Sequence, residues 1–258
     1  MRDRFDHETY WWIVDRLLAT HRPVRFMDLK HGLPDGPFFI LRHDVDYSPA
    51  AAVELAEQEA ARGVRATYFL LLNTFYYNLL SPEHASVARC LAELGHEVGL
   101  HYDLGFFQAF PRERWEGLLE EQARLLGGLS GMPVESIALH QPALAGEDPL
   151  RGRTRFLDAY ADRFFREMAY VSDSCRAWRD AAWRMLSTQP PERLQLVLHP
   201  VNWGPQDRQR AGIFAAVHDQ LKAGLDRAQH DLADKISRHS GVLEHEAWLQ
   251  RRNASDEP

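Results

Sequence analysis

The chain has 258 residues, 45 % of them apolar and 26 % charged, with a formal charge of −7 and a pI near 6.0. That balance belongs to a soluble globular protein of one large domain or two small ones, and it argues against nucleic acid as a partner, which needs a basic face. No run reaches the roughly 18 apolar residues of a membrane-spanning helix, so no transmembrane segment is expected.

The N-terminus, MRDRFDHETYWW, is acidic where a signal peptide is basic and then apolar, so a cytoplasmic protein is expected. Tyr10, Trp11 and Trp12 stand at helical spacing beside Ile13, Leu17 and Leu18, which predicts an amphipathic helix over 10–21 that packs on the core. An apolar strand follows at 37–41. The segment 48–63 reads as a helix, with Ser48 as N-cap, Pro49 in its first turn and Gly63 at its stop. A strand at 65–71 runs up to Asn73. The next helix spans 81–95, between Ser81 and Gly95, and the strand HEVGLH follows it. A helix at 111–127, the strand SIALH and a helix at 155–168 come next. The strands AYVSDS and RLQLVLHP complete the series, and 206–240 reads as one long helix or two. The last residues, RRNASDEP, are expected to be disordered. Cys90 and Cys175 are isolated, which predicts buried free thiols and no disulfide framework or zinc knuckle.

Six strands alternating with helices predict right-handed crossovers and a parallel sheet, either open and doubly wound or an incomplete barrel. In both, ligands bind at the carboxyl ends of the strands. Five strands end in acidic or histidine side chains there: His43, Asp44 and Asp46; His101 and Asp103; His140 and Gln141; Asp173; and His199. Gathering such groups on one rim is costly without a function. Asp and His together suit a divalent metal such as zinc, which keeps about three protein ligands and an open position. A carboxylate beside the metal can take a proton from water, and a histidine can protonate a leaving group.

These residues carry a likeness. RHDVD, TYFLLLN, GHEVGLHYD and a late LHP resemble the polysaccharide deacetylase (NodB-homology) family, carbohydrate esterase family four, and in spelling its branch tied to O-antigen and other bacterial surface sugars. The likeness covers 40–199. It implies an α/β fold, a distorted or incomplete (β/α) barrel, over a single domain 1–258 with an N-terminal helix and a C-terminal helical segment. It also implies removal of an N- or O-acyl group with a divalent metal, zinc above all.

By the resemblance Asp44 is the base, Asp46 a metal ligand and His101 a second ligand. The family pairs its first histidine with another four residues on, where this chain has Gly105. Asp103 or His140 is then the replacement. His140 also stands where the family places an arginine that holds the base, so orienting Asp44 is its other possible role. Asp173 belongs to the motif SDSCRAW, and His199 in LVLHP is the implied general acid.

For the substrate, a carbohydrate or a lipid- or nucleotide-linked sugar, the candidates are Asn73, Tyr76, Tyr77, Gln141 and Trp178, because tyrosine, amide and indole groups suit sugar hydroxyls and ring faces. Arg42, His43 and His96 read as structural supports. His7, His21, His31, His84, His218, His230, His239 and His245 read as surface groups. Two other readings stay open: another amide or ureide hydrolase on the same scaffold, and a non-catalytic carbohydrate-binding protein. The sequence leaves the oligomeric state undetermined.

Overall fold

In the computed structural model, which describes residues 2–239, the chain divides into two compact units, Met1–Ile213 and Phe214–Pro258. The first unit carries eight strands, all parallel, among the described residues. They are β1 (Arg22–Val24), β2 (Phe38–Val45), β3 (Thr67–Leu70), β4 (Glu97–Tyr102), β5 (Ser136–Leu139), β6 (Leu157–Asp158), β7 (Ala169–Ser172) and β8 (Arg193–Leu198). The order is β6-β5-β4-β3-β2-β8-β7, and β1 pairs with β2 below β3. The curled sheet is open between β6 and β7, which makes it an incomplete (β/α) barrel.

The helices in chain order are α1 (His7–Leu18), α2 (Pro49–Ala61), α3 (Val87–Glu93), α4 (Leu104–Phe107), α5 (Trp115–Ser130), α6 (Pro142–Ala145), α7 (Asp162–Phe165), α8 (Asp180–Ser187) and α9 (Arg210–His239). From Phe214 on, α9 belongs to the second unit. No helix among the described residues is long and apolar enough to cross a membrane. The expected loose end at 251–258 lies outside the described residues.

Local signals account for the well-formed helices. Asp6 caps α1 by accepting the Thr9 N–H at 2.8 Å, and Ser48 caps α2 through Ala51 N–H at 3.2 Å. Gly63 then turns the chain at φ +73°, a conformation glycine adopts without strain. Other expectations change. The helix read over 155–168 is a short strand, turns and the single-turn α7. Phe156, Tyr160 and Phe164 mimic helical spacing, but Asp158 accepts the Tyr160 N–H at 2.8 Å and holds the backbone in a turn. The helix expected from Ser81 starts only at Val87, because Ser81 bonds back to the Asn78 carbonyl. The helix expected to stop at Gly127 runs to Ser130, where Gly131 ends it at φ +80°.

On the outer face of β2, Glu59 of α2 gathers four buried side chains. His43 Nε2 lies 2.7 Å from it, the Tyr68 hydroxyl donates at 2.8 Å, Tyr10 donates as well, and His96 Nδ1 is 3.7 Å away. His43 and His96 thus have the supporting role expected of them. His21, expected at the surface, is buried against the Pro191 carbonyl at 3.0 Å. Cys175 is exposed and Cys90 half-buried, so neither thiol is buried as expected.

At the opposite end of the barrel from the strand tips, Glu97 is buried. Its carboxyl accepts from Met27 N–H (2.8 Å), Thr67 Oγ1 (2.8 Å) and Ser136 Oγ (2.7 Å). Burial pushes its pKa above the ordinary value, and those donors only partly offset the shift. A carboxyl raised in the folded state stabilises fully below its unfolded value, about 4.3. That contribution is lost as pH rises through the folded value. The Glu97→Gln variant is therefore expected to gain stability relative to wild type as pH rises, by up to about 1.4 kcal/mol per pH unit within the window. Urea melts from pH 4 to 8 check this. A pH-independent difference would show that Glu97 titrates alike in the folded and unfolded chain.

Candidate active site

The site begins with the pleat of β2. Successive side chains alternate, so Arg42, Asp44 and Asp46 share the inner side while His43 and Val45 face the helices. The strand runs on to Val45, past the expected end at 41, so Asp44 lies within it. Arg42 is wholly buried and grips Asp44 bidentately, Nε to Oδ1 at 2.7 Å and Nη2 to Oδ2 at 2.8 Å. Burial alone would raise the Asp44 carboxyl. The Arg42 charge, aided by His101 and His199, outweighs burial and holds it below the ordinary carboxylate range.

Beside this pair, Asp46, His101 and His140 form a three-membered group at the tips of β2, β4 and β5. His101 Nε2 lies 3.4 Å from Asp46 Oδ1, His140 Nδ1 lies 3.5 Å from the same oxygen, and the two ring nitrogens are 3.2 Å apart. A carbonyl only accepts, so His101 Nδ1–H donates to Ala138 at 2.8 Å, and Nε2 is the nitrogen turned toward Asp46. Asp46 Oδ1 is buried and has no hydrogen-bond partner.

A buried carboxylate oxygen without a donor is costly. Burial would raise Asp46, yet the two histidines bring its pKa far below the ordinary range, so it is anionic. A tetrahedral ion with bonds of about 2.0–2.1 Å separates its ligand atoms by roughly 3.3–3.4 Å. The three observed separations bracket that edge. The donor set and its spacing therefore fit a divalent cation.

His199, after β8, approaches the other oxygen of Asp46, with Nε2 3.8 Å from Oδ2. Its Nδ1 bonds Asp173 Oδ1 at 2.6 Å. Asp173 is fully buried and also accepts from Trp203 Nε1 (2.9 Å), Asn202 Nδ2 (3.1 Å) and the His199 N–H (3.1 Å). Burial works against an imidazolium here. The charge and hydrogen bond of Asp173, with Asp46 and Asp44 beyond, nevertheless raise His199 to about 9. It is therefore an acid at neutral pH, with its proton on Nε2 facing the group.

The remaining candidates divide. Asp103 lies outside the three-membered group: its Oδ1 caps α4 through Gly105 N–H at 2.8 Å. Arg42 occupies the role of holding Asp44 that was one of two open to His140, and His140 lies with Asp46 and His101 instead. Gln141 is exposed at φ +48°, a left-handed backbone that non-glycine residues rarely adopt. Asn73 is exposed, and Tyr76 is partly exposed with its ring 4.7 Å from Tyr47.

Two expected sugar platforms lie in the core. Tyr77 is buried, its hydroxyl donating to the Val45 carbonyl (2.6 Å) and accepting from Leu71 N–H (3.0 Å). Trp178 is 5 % exposed and stacks on Phe5 at 5.7 Å, so its indole face is covered. The sequence reading passed over Arg42 as a partner of Asp44. The signal was there, because two residues apart on a strand share a face. Tyr47, half-buried directly after Asp46, was also passed over.

No protein-family model matches the chain, and no curated protein sequence does. Solved structures do. A CE4 family pseudoenzyme from Bacillus anthracis aligns at 15 % identity over 79 % of this chain and 65 % of its own, with a TM-score of 0.46. The chain thus spans just under two thirds of that protein. A family 4 carbohydrate esterase from Streptomyces lividans, solved with acetate, aligns at 14 % over 70 % of this chain and 84 % of its own, with a TM-score of 0.45. A polysaccharide deacetylase from Bacillus cereus aligns at 15 % over 73 % and 88 %, with a TM-score of 0.44.

Proposed function

We propose that this chain is a metal-dependent hydrolase that removes an N-acyl group, acetyl first, from an amino sugar. The substrate class is a glycan precursor, lipid- or nucleotide-linked, for a bacterial surface polysaccharide, as the spelling RHDVD and LHP suggests. One observation carries the reading. The buried, unpartnered Oδ1 of Asp46 faces two histidine nitrogens at ligand spacing, between an arginine-held aspartate and an aspartate-held histidine.

Asp46, His101 and His140 would hold the ion, with zinc the first choice for one carboxylate and two imidazoles. Bound there, it supplies a positive charge that polarises an acyl carbonyl and acidifies water. Asp44 is ionised and immobile, so it accepts the proton of the attacking water. His199 is protonated on Nε2 and fixed by Asp173, so it donates to the departing nitrogen. Asp173, bonded to Nδ1, stabilises the imidazolium. Loss of the proton from His199 as pH rises through its pKa removes the acid, so the rate falls on the alkaline side.

The test is metal content followed by acetate release. Protein purified without chelator is expected to hold one equivalent of zinc or a similar ion, and Asp46→Ala and His101→Ala to hold less than a tenth of it. N-acetylglucosamine oligomers incubated with the loaded wild type should release acetate, and chelation should stop it. A wild type that neither holds nor takes up added zinc would sink the reading.

A further inference from the structure

Arg42 makes more bonds than its grip on Asp44 requires. Its Nη1 donates to Gln195 Oε1 at 3.0 Å, and its Nη2 donates to the Tyr160 hydroxyl at 2.9 Å. Gln195 is wholly buried in β8, the strand that pairs with β2 along Phe38–His43. Its Nε2 donates to two backbone carbonyls, Phe164 at 2.9 Å and Ala159 at 3.2 Å. Both are acceptors, so the amide has one orientation, and its oxygen must face Arg42. The rings of Tyr160 and Phe69 lie 4.7 and 5.2 Å from the guanidinium carbon. None of this belongs to the chemistry of acyl transfer, yet both Gln195 and Tyr160 bond the arginine that holds the proposed base.

We propose that Gln195 and Tyr160 are positioning residues: they fix the plane of the Arg42 guanidinium, and through it the carboxylate of Asp44. This rests on the hydrolase reading for its catalytic consequence, but not for its geometry. A bidentate pair has one good plane, and a guanidinium free to roll about its long axis presents its two donors to the carboxylate in many. Two neighbours on different segments remove that freedom. Gln195 comes from β8, and Tyr160 from the turn after β6. The turn carrying Ala159 and Tyr160 follows β6, an end strand of the sheet, so the proposed base is anchored to both β8 and that end of the sheet. Positioning of this kind acts on turnover, because a misplaced base loses rate before substrate binding is lost.

The experiment has two arms on the full chain. In ¹⁵N-edited NMR, the Arg42 Nε–H of wild type is expected as a resolved, slowly exchanging signal. In Gln195→Met and in Tyr160→Phe its exchange with solvent should quicken at least about tenfold. An unchanged signal in both variants overturns the proposal, whatever the protein hydrolyses. The second arm measures acetate release from N-acetylglucosamine oligomers by zinc-loaded protein. Each variant is expected to lose about 5- to 50-fold in kcat, within the range for misplaced catalytic groups, with KM and zinc affinity within about twofold of wild type. In an Asp44→Asn background the same substitutions should cost nothing further, because the group they position is gone. An equal loss in that background would mark general structural damage and overturn the proposal. If Asp44→Asn alone left the rate intact, the hydrolase reading would fail while the NMR arm still decided the geometry.

Discussion

Asp44→Asn is expected to lower turnover by about 100- to 10,000-fold, the usual worth of a general base, while zinc binding stays within a few-fold of wild type. The two results together matter. Asparagine keeps the size of the side chain but cannot accept a proton, and Asp44 lies 3.9 Å from the nearest candidate ligand nitrogen, outside the three-membered group. His199→Ala should cost a similar factor. It should also remove the alkaline limb of the rate profile, because the proton lost there belongs to that imidazole. The limb in wild type belongs at or below about pH 9, since a cation on Asp46 would cancel part of the negative charge that raises His199. Parallel wild-type and variant pH profiles of initial acetate release test both statements. Near-wild-type turnover in Asp44→Asn and His199→Ala would remove both residues from the chemistry.

The second large effect is on stability and needs no substrate. Arg42→Met should destabilise the fold by about 3–5 kcal/mol, since it leaves the Asp44 carboxylate in the barrel without its counter-charge. Arg42→Met combined with Asp44→Asn should recover at least half of that loss, because a neutral amide replaces the stranded charge. Urea unfolding of the two single variants and the double variant measures the coupling. Additive losses would mean that the pair is not one electrostatic unit.

The barrel was legible in the sequence because long apolar strands and amphipathic helices follow strong, regular patterns. β2, β4 and β8 each bury five or more consecutive residues, so their runs stand out. β1 has three residues with a proline among them, and β6 has two. Neither is long enough to show a period, and both exist because a neighbouring strand offers free backbone donors and acceptors.

The rim followed the same logic. Asp44, Asp46, His101, His140, Asp173 and His199 all stand at strand ends, and position along a strand is readable. What they touch is not. Arg42 read as a support for the strand end, although its spacing of two from Asp44 already put the pair on one face of β2. Trp178 and Tyr77 read as sugar platforms because residue type alone does not reveal that Phe5, or the Val45 carbonyl, has already taken the exposed face. Gln195 was a second unused signal, a polar residue inside RLQLVL between Leu194 and Leu196. A buried amide needs partners, and those partners lead straight to Arg42 and Asp44.

The inner side of β2 carries Arg42, Asp44 and Asp46 at alternate positions. A single inserted or deleted residue between them would turn part of that row toward α2 and bring His43 or Val45 inward. This strand is therefore closed to changes of length. The exposed tip of the loop that follows β3 is under no such constraint. Phe75 stands at its surface almost fully exposed, and the segment is not part of the three-membered group or of either pair that flanks it. A length-variant library is expected to divide accordingly: insertions at 42–46 should unfold the protein or empty the site, and insertions near Phe75 should fold. Changes of length are then absorbed in exposed loop tips, around a strand whose count of residues cannot change.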